Sequence, residues 1–275
     1  MIIESILILL APLAGGLIYG LERVVRARMQ NRQGPPILQP FYDMYKLIEK
    51  RSSIVHPMHI VLALLHFITV WAVVALIIFG VNFLYVIFLH LLATMFLVLA
   101  GFSVKSVYSH IGSNRELLAM LAYEPIFILI ATGFYLLNDS YAISLIRSDD
   151  AQIISMFLLF LAFLLTIPLK LKKSPFDGCE AHQEIVGGVE IEYSGVYFEI
   201  LYMAKWLEYV FIYLLLLLFA GNNVVLGSIL TIGVFLVVNL VDNSTSRVNM
   251  PDTIKIIMGF GLTLSVLNIL GLVYV

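Results

Sequence analysis

The chain has 275 residues, of which 61% are hydrophobic and 12% charged, with a formal net charge of −2 at pH 7. A soluble domain is roughly half apolar and about a quarter charged, so the bilayer is the solvent for most of this chain and a large soluble catalytic domain is excluded. The single cysteine, Cys179, excludes an intrachain disulfide and the set of thiolates that holds an iron–sulfur cluster.

A membrane-spanning helix needs about 20 mainly apolar residues. That length predicts one all-α integral membrane domain, residues 1–275, built as a bundle of eight transmembrane helices. The spans fall at about 2–21, 59–79, 81–102, 117–137, 152–171, 196–220, 223–242 and 253–275. The first apolar run has no basic n-region and no small-residue cleavage site, so it is read as a retained span and not as a signal peptide. Gly15, Gly16 and Gly20 within it permit close approach of another helix.

The loop after span 1 carries Arg23, Arg26, Arg28, Arg32, Lys46, Lys50 and Arg51, and further basic residues follow spans 3, 5 and 7. Of the sixteen Lys and Arg residues, only Arg147 falls in a loop on the other side, and Lys205 lies inside a span. Lys and Arg accumulate in cytoplasmic loops, which places both termini outside. Within the first loop, Gln39, Asp43, Lys46 and Lys50 recur at helical spacing opposite Leu38, Phe41, Tyr45 and Ile48. This predicts a cytoplasmic amphipathic helix lying on the membrane or under a partner; the plainer reading is a solvated connector.

His66 and His90 in spans 2 and 3 read as interhelical hydrogen-bond partners. Further along, an ionisable group at the bilayer centre costs about 2.5–3.5 kcal/mol, so a charge within a span marks a candidate functional site. Glu124 in span 4 precedes Pro125, which cannot donate a backbone hydrogen bond, and a local break beside the carboxylate is expected.

The loop KKSPFDGCEAHQEIVGGVEIEYSG after span 5 gathers Asp177, Glu180, His182, Glu184, Glu190 and Glu192, which suits a proton or cation antechamber or a solvated acidic loop. In span 6, Glu192 and Glu199 share a face if the helix already runs through Glu192. Lys205 and Glu208, one turn apart, read either as a charge relay near the midplane or as a neutralised structural pair.

Three segments, ERVVRARMQNRQGPPILQPFYDMYKL, SNRELLAMLAYEP and SPFDGCEAHQEIVGGVEIEYSG, resemble the hallmark loops of the NuoH family, the membrane subunit of respiratory complex I and its hydrogenase homologues. The resemblance is closer to the energy-converting membrane-bound [NiFe] hydrogenases of the Ech, Mbh and formate hydrogenlyase type. GPPILQP is several residues shorter than the NuoH stretch that helps shape the quinone entrance, and His182 stands where NuoH usually has a further Glu.

The resemblance implies a coupling subunit without a catalytic centre or cofactor of its own. In the family, the positions of Glu124, Glu180, Glu184 and Glu192 line a hydrated acidic passage toward antiporter-like subunits. Asp43 and Lys46 match the Asp and Lys of the helix beneath the redox subunits. Glu199, Lys205 and Glu208 join the candidate pathway on intramembrane position, and His182 by its place among the acids.

The implied partners are hydrogenase-type large and small subunits carrying the [NiFe] centre, an iron–sulfur subunit carrying the clusters, antiporter-like and small membrane subunits, and the lipids of a prokaryotic cytoplasmic membrane; no nucleic acid is implied. A quinone-reducing complex I and the related sulfane-reducing complexes are the alternatives. An autonomous transporter would show an internal repeat with paired broken helices, and no convincing repeat is present.

Overall fold

The computed structural model describes residues 2–274; Met1 and Val275, the ends of the expected domain, lie outside it. The elements, in order, are α1 (Ile2–Met29), α2 (Gln39–Glu49), α3 (Pro57–Phe79), α4 (Phe83–Phe102), α5 (Val107–Asn138), α6 (Ile143–Ser148), α7 (Phe157–Lys170), α8 (His182–Ile185), α9 (Val196–Ala220), α10 (Val224–Ser244), α11 (Met250–Ile256) and α12 (Leu262–Tyr274). A π-helical turn, Ile257–Gly261, joins α11 to α12, so that 250–274 forms one rod. Among the described residues there is no β-strand.

Among the described residues, seven helices are long and apolar enough to cross a membrane: α1, α3, α4, α5, α9, α10 and the α11–α12 rod. The fifth expected span differs. Its helix, α7, starts only at Phe157 and has 14 residues, which at about 1.5 Å per residue is roughly 21 Å against a hydrocarbon thickness of about 30 Å. The preceding residues are held otherwise: the Gln152 amide exchanges hydrogen bonds of 2.6 and 3.1 Å with the Asn138 amide, and the Gln152 N–H donates to the Phe219 carbonyl. A side-chain bond to the end of α5 thus displaces the first helical turn.

Helix ends follow residue chemistry. Pro57 opens α3, where its missing N–H costs nothing, and Gly80 closes it at φ 73, a left-handed conformation open to glycine. The Asn82 side chain then accepts from Leu84 N–H and caps α4. α5 begins ten residues before the expected span and runs through Pro125 without interruption. The break expected beside Glu124 is not seen, because the 32-residue helix is packed along both α4 and α7.

The bundle is built around α9, which packs against α1, α3 and α10 and is the most enclosed of the seven, with 72% of its apolar window buried against 17% for α1. Gly15 makes that packing close. A Cβ at Gly15 would collide with the backbone carbonyl of Trp206 on α9. Phe41 on α2 meets the Trp206 ring edge-on at 5.3 Å, which seats α2 beneath the α1–α9 pair. The core is aromatic and aliphatic, with Phe127, Phe134, Phe163, Phe211 and Phe219 fully buried between α5, α7 and α9.

Candidate functional site

Inside this apolar shell lies a cavity of about 270 Å³ whose walls carry a series of ion-paired side chains. It is assembled from α1, α3, α4, α5, α7, the loop after α7, α9 and α10. Buried charges are tolerated only when paired, and the pairs define three groups.

The deepest group joins four helices. His90 on α4 is fully buried, with Nδ1 2.9 Å from Glu124 Oε1 on α5 and Nε2 3.4 Å from Glu208 Oε2 on α9. The other oxygen of Glu208 is 3.0 Å from Lys170 Nζ, which comes from the last turn of α7. The same ammonium reaches the Tyr123 and Thr94 hydroxyls at 3.4 Å. The second oxygen of Glu124 is buried with no hydrogen-bond partner among the described residues.

The second group closes the cavity on the loop side. Lys172 sits 3.2 Å from both Glu116 and Glu180, and Lys205 sits 2.8 Å from both Glu180 and Glu190. Burial alone would raise the Glu180 carboxyl, but Lys205 and Lys172 hold it well below the usual carboxylate range. Glu190 goes the other way, pushed up by burial and then by the charge of Glu180. Burial likewise opposes the charge of Lys172, yet Glu116 and Glu180 hold its ammonium well above the usual lysine value.

The third group ties α1 to α10 and to the end of α7. Lys173 pairs with Glu22, Arg26 pairs with Glu22 at 3.1 Å, and Arg26 also pairs with Asp242, whose Oδ1 accepts from Ser174 N–H at 2.9 Å.

Sequence spacing had paired Lys205 with Glu208. The structure separates them, because the loop folds back under the bundle and offers Glu180 and Glu190 to Lys205, while Lys170 reaches Glu208 from another helix. Nor does Glu192 share a helical face with Glu199. α9 starts at Val196 after Gly195, and Glu192 ends a separate 3₁₀ turn, half-buried.

Glu199 itself is 2% exposed, with both oxygens unpartnered among the described residues. Glu184 lies at the surface, paired with Arg115 at 2.8 Å and Arg247 at 3.5 Å, and these arginines hold its carboxyl below the usual value. His182 is exposed at the cavity mouth. On α2, Asp43 accepts from Arg23 at 2.7 Å and from Gln39 at 2.8 Å, whereas Lys46 is exposed.

Sequence reasoning gave His66 and His90 the same standing. His66 is the interhelical hydrogen bond expected, its Nδ1–H donating to the Ala93 carbonyl at 2.8 Å, while His90 stands between two carboxylates. It missed Glu22, Glu116, Lys170, Lys172 and Lys173 as interior residues. The signal for Lys170 was its position within a turn of the end of an apolar run, close enough to reach inward.

The arrangement defines a polytopic helical membrane protein with a polar, ion-paired interior. The profile of the NADH dehydrogenase family matches residues 2–273. The chain is 31% identical over 242 residues to the putative NADH-ubiquinone oxidoreductase of Methanocaldococcus jannaschii, covering 84% of this chain and 81% of that one. It is also 31% identical over 250 residues to a subunit of the NADH-quinone oxidoreductase of Brevibacillus brevis, covering 80% and 73%.

The fold is similar to that of a chain in the membrane-bound sulfane sulfur reductase, an archaeal respiratory membrane complex, with a TM-score of 0.88, 20% identity and 98% of both chains covered. The chain belongs to the NADH dehydrogenase family, as one of its NuoH-like members.

Proposed function

We propose that this chain is the membrane anchor and coupling subunit of a redox-driven proton or sodium pump of the energy-converting [NiFe] hydrogenase type. It carries no redox centre; the [NiFe] centre and iron–sulfur clusters belong to partner chains. The observation that carries the reading is the series of buried ion pairs from Glu116, Glu180 and Glu190 under the bundle to Glu124 and Glu208 within it. Such an interior costs desolvation at every charge and gives an apolar anchor no benefit, so it points to charge movement. Membership in the NuoH-like family supports placement in a multi-subunit respiratory complex, and the short GPPILQP stretch favours the hydrogenase type over quinone reduction.

In this reading α7 with the residues before it makes an eighth, short crossing, and both termini face outward from a prokaryotic cytoplasmic membrane. α2 lies at the cytoplasmic face, where Asp43, fixed by Arg23, and the free Lys46 meet the redox module. Glu124, Glu180, Glu190, Lys205 and Glu208 carry the charge relay, His182 stands at its entrance, and Glu192 and Glu199 flank it toward α2. Glu184 serves the relay by holding the loop in place through Arg115 and Arg247.

The test is Glu124→Gln, which keeps shape but cannot exchange a proton. Ion uptake by inverted vesicles should fall by about tenfold or more per electron transferred, while hydrogen evolution from an artificial donor and the amount of assembled complex stay near normal. Unchanged uptake per electron would sink the proposal.

A further inference from the structure

The proton count of the deepest group is fixed by its geometry. Three contacts meet there: Glu124 with His90 at 2.9 Å, His90 with Glu208 at 3.4 Å, and Glu208 with Lys170 at 3.0 Å. Each contact needs one hydrogen between its two atoms. With both carboxylates ionised, His90 must carry both ring hydrogens, and the four side chains are together neutral. If His90 loses a proton out of the group, the set becomes an uncompensated buried anion, and one bare ring nitrogen faces a carboxylate lone pair. Both outcomes are costly in an interior where His90 is fully buried and Glu124 is 3% exposed.

One move keeps the group neutral and every contact occupied. The Nδ1–H bond breaks, its electron pair stays on Nδ1, and the proton bonds to Glu124 Oε1, which then donates back to the ring. Nε2–H continues to donate to Glu208. The mirror move toward Glu208 is disfavoured, because Lys170 stands against that carboxylate and favours its charged form, while among the described residues no cation besides the His90 ring pairs with Glu124. The second oxygen of Glu124 has no hydrogen-bond partner among the described residues, so a proton received at Oε1 leaves an open acceptor beside it.

The other groups near His90 do not supply a competing proton. His66 on α3 is tied by its Nδ1–H to Ala93, and the Tyr123 hydroxyl on α5 is held by Thr94 at 3.3 Å and Lys170 at 3.4 Å. Phe211 on α9 stacks on the imidazole at 4.4 Å and 13°, holding the ring in the plane that serves both carboxylates.

We propose that His90 is a proton carrier bridging Glu124 and Glu208, with Lys170 setting the direction by keeping Glu208 ionised. The proposal rests on the reading of the carboxylates as a charge relay. It adds that Glu124 on α5 and Glu208 on α9 exchange a proton through the α4 imidazole.

The test uses assembled complex in membranes, comparing wild type with His90→Gln by redox-difference infrared spectroscopy and by vesicle uptake. The expected result is a carboxylic acid C=O band that appears on reduction in wild type and is lost in both Glu124→Gln and His90→Gln, with uptake per electron down about tenfold or more in His90→Gln. A carboxyl band and uptake unchanged by His90→Gln would overturn the proposal.

Where the variant assembles poorly, wild-type complex carrying ¹⁵N-histidine decides: a ring band that moves with the label and accompanies the carboxyl band supports it, and a carboxyl band with no label-sensitive companion overturns it. Loss of uptake in Glu124→Gln but not in His90→Gln removes the histidine bridge alone. Uptake unchanged in both variants removes the relay as well.

Discussion

The group around His90 and the group around Lys172 and Lys205 hold similar numbers of charges but are wired differently. Under the bundle, two lysines alternate with three carboxylates, and each lysine touches two acids. The two lysines bridge acids of α5 and of the loop, so the arrangement works as a clasp on the loop. In the deep group the central member is an imidazole, whose two nitrogens can each donate or accept a hydrogen bond and so pass a proton from one side to the other. Lysine between acids thus holds the entrance of the relay together, and histidine between acids offers a two-sided proton exchange within it.

Burial sets the size of the effects that separate the two groups. Lys170 is 5% exposed at its side chain and, among the described residues, is the only cation on Glu208 other than the ring, so Lys170→Met should destabilise the purified complex by about 3–5 kcal/mol. Lys205 is 28% exposed at its side chain and shares Glu180 with Lys172, so Lys205→Met should cost about 1 kcal/mol. Thermal unfolding of both variants checks this, and Lys170→Met/Glu208→Gln should recover most of the larger loss. Equal losses for the two single variants would erase the difference between the groups.

A smaller effect divides the clasp internally. Glu180 is held below the usual carboxylate value, so its contribution to stability is present above about pH 4.3 and is lost only as pH falls further. Glu190 is raised, so its contribution is complete below that ordinary value and is lost as pH rises through the raised one. Acidification from neutral pH should therefore protonate Glu190 first and stabilise the loop. Glu190→Gln should be more stable than wild type at neutral pH and should lack this gain; a wild-type pH slope in the variant would contradict the assignment.

The smallest change is expected at Glu184, whose side chain is 48% exposed. Glu184→Gln should alter thermal stability by no more than about 0.5 kcal/mol, and a loss as large as that of Lys205→Met would show that the surface arginines hold the loop as firmly as the buried lysines.

The apolar runs made the long helices legible, and Gly15 marked a tight crossing that the Trp206 backbone occupies. The late start of α7 was hidden, because AQIIS reads as a plausible first turn and only the contact of Gln152 with Asn138 removes it.

In the candidate site, Glu124 and Glu208 were visible as acids within apolar runs, but their partners were not. Glu180 and Glu184 look alike four residues apart, yet one is clasped by two lysines and the other faces solvent, since the loop reverses direction between α7 and α9. Local spacing describes neighbours on one helix; here the decisive neighbours lie 34 and 118 positions away from His90.

α5 carries one residue of each group on a single piece of regular helix. Glu116 and Glu124 are eight residues apart, about 12 Å along the axis, and Pro125 comes only after both. The helix is continuous between them, so a displacement at Glu116 can be carried along its axis toward Glu124. The helix therefore behaves as a stiff pushrod whose foot stands in the clasp and whose shoulder meets the imidazole. A disturbance of the loop by a docked protein would then reach the middle of the membrane along the helix axis.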